Sequence, residues 1–410
     1  MRYIIIPKYD ELSEALSDGE NVSTESRQES IRTMSERRGF EADDSVQGQI
    51  DAVVRQAVGD RGAEVISAPT TGTPITGVTI IHTQADVAAE INDALPDADV
   101  VPDEALELIP FKRSDAAGAV ATNPTNAWHL AALGLTSARQ AGFTGTGAGV
   151  TVGVLDTGIA EVPEIQGRVM EAFDLDIDLW QAKPMPMTED THGHGTHVAG
   201  LIAGKTVGVA PGAKLVNVLL IPHAQGSLSR YILALEWVAS RPDIRIINMS
   251  AGRRGYSPNM LLMMKIMRRL NVLACVAVGN EGPNTSRSPG NYSEVLSVGA
   301  CNDSKQVWPD SSGGQITPDP TGSYDVPKLV APGQDVTSCT QSGPFEAWSG
   351  TSMATPLVTG MAALLLERFP AMTLPQLEAE LLSACVTLNL PIQRQGKGML
   401  TLPASLQPTT

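Results

Sequence analysis

The chain has 410 residues, 42% of them hydrophobic and 18% charged, which gives a globular protein with apolar mass for a large core. Its net charge is −16 and no basic patch interrupts it, which excludes nucleic acid as an expected partner. The acidity is concentrated in residues 1–111, where 8 Lys and Arg face 22 Asp and Glu, or −14, leaving −2 for residues 112–410. That asymmetry marks residues 1–111 as a separate module.

No apolar run approaches the ~20 residues of a membrane span, so no membrane contact is expected. The opening Arg2–Ile6 stretch falls short of the ~7–15 apolar residues of a secretory leader. A cytoplasmic location is expected, with export by a non-standard route as the alternative. The cysteines, Cys275, Cys301, Cys339 and Cys385, show no CxxC spacing. Cys275 lies in an apolar run and is expected to be a buried thiol.

In chain order, residues 2–6 read as a strand, and residues 10–45, polar, acidic and Ser-rich, as a flexible insertion. Val46, Ile50, Val53, Val54 and Ala57 recur at helical spacing behind a Ser45 cap, predicting a helix over 45–60. Strands are predicted over 63–67 and 77–83, a helix over 85–95 and a short strand over 99–101. The order β-α-β-β-α-β is a split βαβ, ferredoxin-like α+β unit. Residues 112–126, rich in Ala, Pro, Asn and Thr, read as a linker. From residue 127 to 407, continuous apolar strands alternate with helices. That pattern predicts a parallel sheet covered on both faces, a three-layer α/β domain.

Three segments carry chemistry. Asp156 ends the apolar run Val-Gly-Val-Leu-Asp156-Thr-Gly, where a parallel strand presents its carboxyl end to a ligand crevice. The same residue would also serve as a helix cap. His194 sits in His192-Gly-His194-Gly-Thr-His197, at the start of an apolar helix. Three histidines in six residues also suit a metal, although the spacing is not HExxH and no acidic or Cys partner accompanies them. Ser352, in Ser349-Gly-Thr-Ser352-Met-Ala-Thr-Pro, opens a helix whose N-terminus favours developing negative charge; a plain capping role fits it too. Together the three make a nucleophile, a base and an orienting carboxylate, in the order Asp, His, Ser.

These blocks are similar to the three signatures of the subtilase family. Ile-Asn-Met-Ser250-Ala251-Gly252 resembles its substrate-pairing strand, and Val-Gly279-Asn280-Glu-Gly its oxyanion segment. The resemblance covers roughly residues 127–407 and implies a subtilisin-like fold and a serine endopeptidase acting on proteins or peptides. It implies Ser352 as nucleophile, His194 as general base and acid, Asp156 as its orienter, and Asn280 with the Ser352 N–H as oxyanion donors. It gives Ser250, Ala251, Gly252 and Gly279 to substrate binding, and to His197 a structural place without a catalytic step. Leu357 stands where the family commonly has His, and is expected to pack. Arg253 and Arg254 follow Gly252 where small residues are usual; they bias the cleft toward acidic residues or are solvated loop charges.

The resemblance further implies that residues 1–111 are a propeptide, chaperone and inhibitor of their own enzyme. Leu108-Ile-Pro-Phe111 looks like the inhibitory segment of intracellular subtilisins, and processing is expected within 108–123. No cofactor is needed for the chemistry. Structural calcium is usual in the family; Asp174, Asp176 and Asp178 are candidates, without an assignable binding loop. A protease dedicated to one peptide, or a peptide-binding pseudoprotease, are the alternative readings.

Overall fold

The computed structural model describes residues 1–8, 46–61, 64–67, 77–114, 127–318, 322–343 and 345–407. The insertion expected at 10–45, and most of the linker, lie outside the described residues.

Near the N-terminus a four-stranded antiparallel sheet runs in the order Glu64–Ser67, Thr79–His82, Arg2–Pro7, Ala98–Pro102. The helices Val46–Arg61 and Ala85–Ala94 supply Ile50, Val54, Val87 and Ile91 to a small core with Tyr3, Ile5 and Ile81. The other face of this sheet sends Ile4 and Ile80 into a core shared with the larger domain.

The larger domain is built on a ten-stranded sheet. Its middle is parallel, with Thr151–Asp156 between Lys214–Leu219 and Ile244–Met249, followed by Leu273–Ala277, Leu296–Cys301 and Leu329–Pro332. The expectation of a purely parallel sheet is corrected at both edges. Val169–Asp176 turns back into Gln181–Pro184, and Cys385–Val386 pairs antiparallel with Met399–Leu400. The first pair is a hairpin with a short turn, which needs no crossover helix; the second is joined through the helix Ile392–Gln395.

The helices His194–Ala203 and Thr351–Arg368 cover one face, and Leu228–Ala239 and Leu261–Arg269 the other. From Thr151–Asp156 the chain moves to one side of the sheet and later returns to the other. The carboxyl end of that strand is therefore the switch point where open α/β sheets form their crevice. All four cysteines are free thiols; Cys275 is buried as expected, with its pKa pushed up to about 12 by burial.

Candidate active site

Asp156 ends its strand fully buried, and its Oδ1 accepts from the Thr157 N–H at 2.7 Å. The same Oδ1 lies 2.8 Å from His194 Nδ1, which fixes Nδ1 as the protonated nitrogen and leaves Nε2 as the basic one. His194 is the first residue of its helix. Gly193 before it has φ +97, and a Cβ on Gly195 would stand 2.0 Å from the Gly158 carbonyl, so both positions need glycine. Ser352 is the second residue of Thr351–Arg368, with its backbone N–H at the open end of the helix. Asp156 Oδ2, His194 Nε2 and Ser352 Oγ are each buried without a hydrogen-bond partner.

Asn280 follows Gly279, which has φ +123. Its Oδ1 accepts from the Thr351 N–H at 2.9 Å and from Thr351 Oγ1 at 2.8 Å. Those two bonds turn its NH₂ toward the crevice, where Nδ2 donates to the Pro110 carbonyl at 2.7 Å. The Gly279 carbonyl accepts from Thr351 Oγ1 and Ser312 N–H, so it shapes the loop.

The chain's own residues 105–114 run through this crevice. Ala105–Leu108 is a strand between Gln225–Ser227 and Ala251–Arg254, antiparallel to both, with Leu108 opposite Ala251 and Glu107 opposite Gly252. The Ile109 N–H donates to the Ser250 carbonyl at 3.3 Å. Beyond Pro110, Phe111 stacks on Trp348 and lies tilted against the His194 ring. Lys112–Arg113 then pairs with Phe345–Ser349. Of the residues expected to bind substrate, Ser250, Ala251 and Gly252 meet this segment directly.

Sequence reasoning missed Asp190. Its Oδ1 accepts from the N–H groups of His192 and Gly193 and from Thr157 Oγ1; its Oδ2 accepts from Thr196 N–H at 2.9 Å and Thr196 Oγ1 at 2.5 Å. It caps the histidine helix and ties it to the loop after Asp156. An Asp three residues before the Gly193 that precedes a helix was a readable capping signal. His197 stacks flat on Trp348, centroids 4.1 Å apart, and burial lowers its pKa to about 3. His192 is half-buried beside Phe111, and burial lowers its pKa too. Leu357 is in the core.

The calcium candidates do not fit a metal site. Asp174 pairs with Arg230 at 2.6 Å, Asp176 with Lys183, and Asp178 with Arg2 at 3.2 Å. Among the described residues no group of three or more His, Cys, Asp or Glu converges on a metal position, and no helix is long and apolar enough to cross a membrane.

Comparison with known proteins agrees with this geometry. The family described as "Subtilase family" matches residues 147–398. An intracellular serine protease of Paenibacillus polymyxa is 33% identical over 274 residues, covering 63% of this chain and 80% of that protein. Subtilisin BL of Lederbergia lenta is 30% identical over 284 residues, covering 68% of this chain and 97% of that protein. The crystal structure of fervidolysin from Fervidobacterium pennivorans matches with a TM-score of 0.68 at 22% identity, over 88% of this chain and 60% of that chain, which speaks to the fold.

Proposed function

The chain belongs to the subtilase family and is a subtilisin-like serine endopeptidase acting on proteins or peptides, and on that premise we propose that it is made as a zymogen. Residues 1–111 are its propeptide, a split βαβ inhibitor module; residues 112–126 form the linker, and 127–407 the catalytic domain. The observation that carries this reading is the 2.7 Å bond from Asn280 Nδ2 to the Pro110 carbonyl.

Ser352 Oγ attacks the substrate carbonyl as its proton passes to His194 Nε2. The buried Asp156 carboxylate holds the imidazole in the required tautomer and stabilises the imidazolium. The tetrahedral oxyanion is held by Asn280 Nδ2 and the Ser352 N–H, donors already oriented before reaction. His194 then protonates the leaving amine, and water completes deacylation by the same relay. This chemistry needs no cofactor.

The tethered segment resists the same reaction for a local reason. Pro110 has no N–H, so the Ser250 carbonyl takes the Ile109 N–H instead, one residue away from the carbonyl on Asn280. The backbone turns between these anchors while Phe111 covers His194. Action inside the cell is part of the reading, supported by the name of the Paenibacillus polymyxa relative.

The test is N-terminal sequencing and mass spectrometry of the purified chain. The wild type is expected to split within residues 108–123, and Ser352→Ala to stay at full length. A wild type that stays whole and takes no fluorophosphonate under any activating treatment overturns the proposal.

A further inference from the structure

Glu104, just before the Ala105–Leu108 strand, and Glu107 within it each face an arginine. Glu104 places Oε1 3.3 Å from Arg253 Nη2, and Glu107 places Oε2 3.5 Å from Arg287 Nη1. Arg287 is 1% exposed. Its Nη1 donates to the Gly252 carbonyl at 3.0 Å, on the strand that pairs with the segment. Its Nε and Nη2 lie 2.7 and 2.6 Å from Glu281 Oε1, and Glu281 adjoins Asn280. The guanidinium thus lies under the crevice, between its pairing strand and its oxyanion loop. Arg254 also leans on Glu281, at 3.7 Å. With residues 103–114 withdrawn, Arg254 and Arg287 keep the carboxylate of Glu281, and Arg253 keeps no ion pair among the described residues.

A buried guanidinium with donors to spare binds carboxylate strongly, because little water competes and its fork is fixed in place. A substrate enters by adding a strand to Ala251–Arg254, as the tethered segment does. Backbone pairing fixes its register, and the carbonyl at Asn280 fixes where the count begins. Glu107 lies three residues before Pro110, and Glu104 six.

We propose that this half of the cleft selects acidic substrates: Arg287 reads a carboxylate three residues before the one whose carbonyl reaches Asn280, and Arg253 reads a second one six residues before it. The inference rests on the protease reading and deepens it, since it assigns the class of peptide preferred. It makes the tethered segment a charge mimic of substrate. Exposed Arg253 acts mainly through attraction and register, and Arg287 through a desolvated contact.

The experiment uses the full chain carrying Glu104→Lys, Glu107→Lys, or Glu104→Lys with Arg253→Glu. Hydrogen exchange at residues 105–108 reports segment release without requiring activity, and the rate of fluorophosphonate labelling reports access to Ser352. Each single reversal is expected to speed both, by about 3–10-fold, and Arg253→Glu to return Glu104→Lys toward wild type. Arg287 is left unchanged, since a buried ion pair broken on one side destabilises the fold. Decapeptides with Glu, Gln or Lys three residues before the residue that carries the scissile carbonyl, given to the activated wild-type enzyme, are expected to rank in that order in kcat/KM. Unchanged exchange in both reversals, or equal turnover of Glu and Lys peptides, overturns the proposal. Loss of labelling with exchange still responding would instead count against the protease reading.

Discussion

The ring of Phe111 stacks on that of Trp348, centroids 4.5 Å apart and planes 23° from parallel, which brings it within 5.2 Å of the His194 ring centroid. One aromatic side chain of the N-terminal segment therefore lies against the His194 ring. Trp348 backs it, itself stacked on His197. Phe111→Ala is expected to remove this cover while leaving the ladder of Ala105–Leu108 in place. Fluorophosphonate labelling of the full chain should rise by about tenfold, a stacked aromatic pair contributing roughly 0.5–1.5 kcal/mol beyond its buried area. Labelling no faster than wild type would refute the covering role.

Pro110→Ala restores an N–H beside the Ser250 carbonyl and lets the segment lie as a regular strand. The full chain is then expected to cut itself at 110–111, measured as a new N-terminus at residue 111. A Pro110→Ala chain that is cut only elsewhere would mean that Pro110 does not set its resistance.

Asn280→Ala removes the proposed oxyanion donor and also the acceptor that holds Thr351. Turnover should fall about 10²–10³-fold with KM little changed, the magnitude known for such a donor in subtilisin itself. Melting temperature, measured alongside, separates this loss from a collapse of the loop. A fall in KM-governed binding alone would remove Asn280 from the oxyanion role.

The Asp190 carboxylate accepts from three backbone N–H groups and two hydroxyls. Asp190→Ala leaves those donors unpaired, at a cost of about 1–3 kcal/mol for a buried group. Denaturant unfolding should show that loss, with a lower kcat as His194 loses its footing. Asp190→Asn is expected to restore part of both, because its amide oxygen still accepts.

Two buried histidines make the fold sensitive to acid. Burial lowers His129 to about 4 and His197 to about 3, against an ordinary value of 6.5. Both are neutral in either state above pH 6.5, where the stability they contribute is complete. Below 6.5 the unfolded chain takes up protons that the folded chain refuses, so stability falls until the folded values are reached. Each group contributes on the order of 3–5 kcal/mol across that window. Denaturation followed from pH 7 to 4 should show the loss, and His197→Phe, which keeps a ring against Trp348, should reduce it by about half, His129 supplying the rest. A wild-type stability that is flat from pH 7 to 4 would contradict this account.

The positions of the residues proposed as catalytic were legible because each sits in a short block whose glycines and flanking apolar runs define a local geometry: the strand end for Asp156, the helix start for His194 and Ser352. The helices Leu228–Ala239 and Thr351–Arg368 were legible by their apolar runs. What escaped depends on residues distant in the chain. The strands Leu329–Pro332, Val336–Cys339 and Phe345–Ser349 are short, and only their partners show where they pair. Arg287 reads as one charge in a polar loop until Glu281, Gly252 and Glu107 are brought around it. Arg253 likewise reads as a loop charge until its ion pair with Glu104 is in view.

The segment that threads the crevice belongs to the chain it occupies. On the zymogen proposal, while the peptide bonds of residues 108–123 are whole its concentration at the cleft is set by the length of its own tether, so dilution cannot free the enzyme. Once a bond there is cut, the same contacts become a two-body equilibrium, and release responds to volume and to destruction of the freed module. The switch from a protein that ignores its own concentration to one that obeys it takes a single hydrolysis.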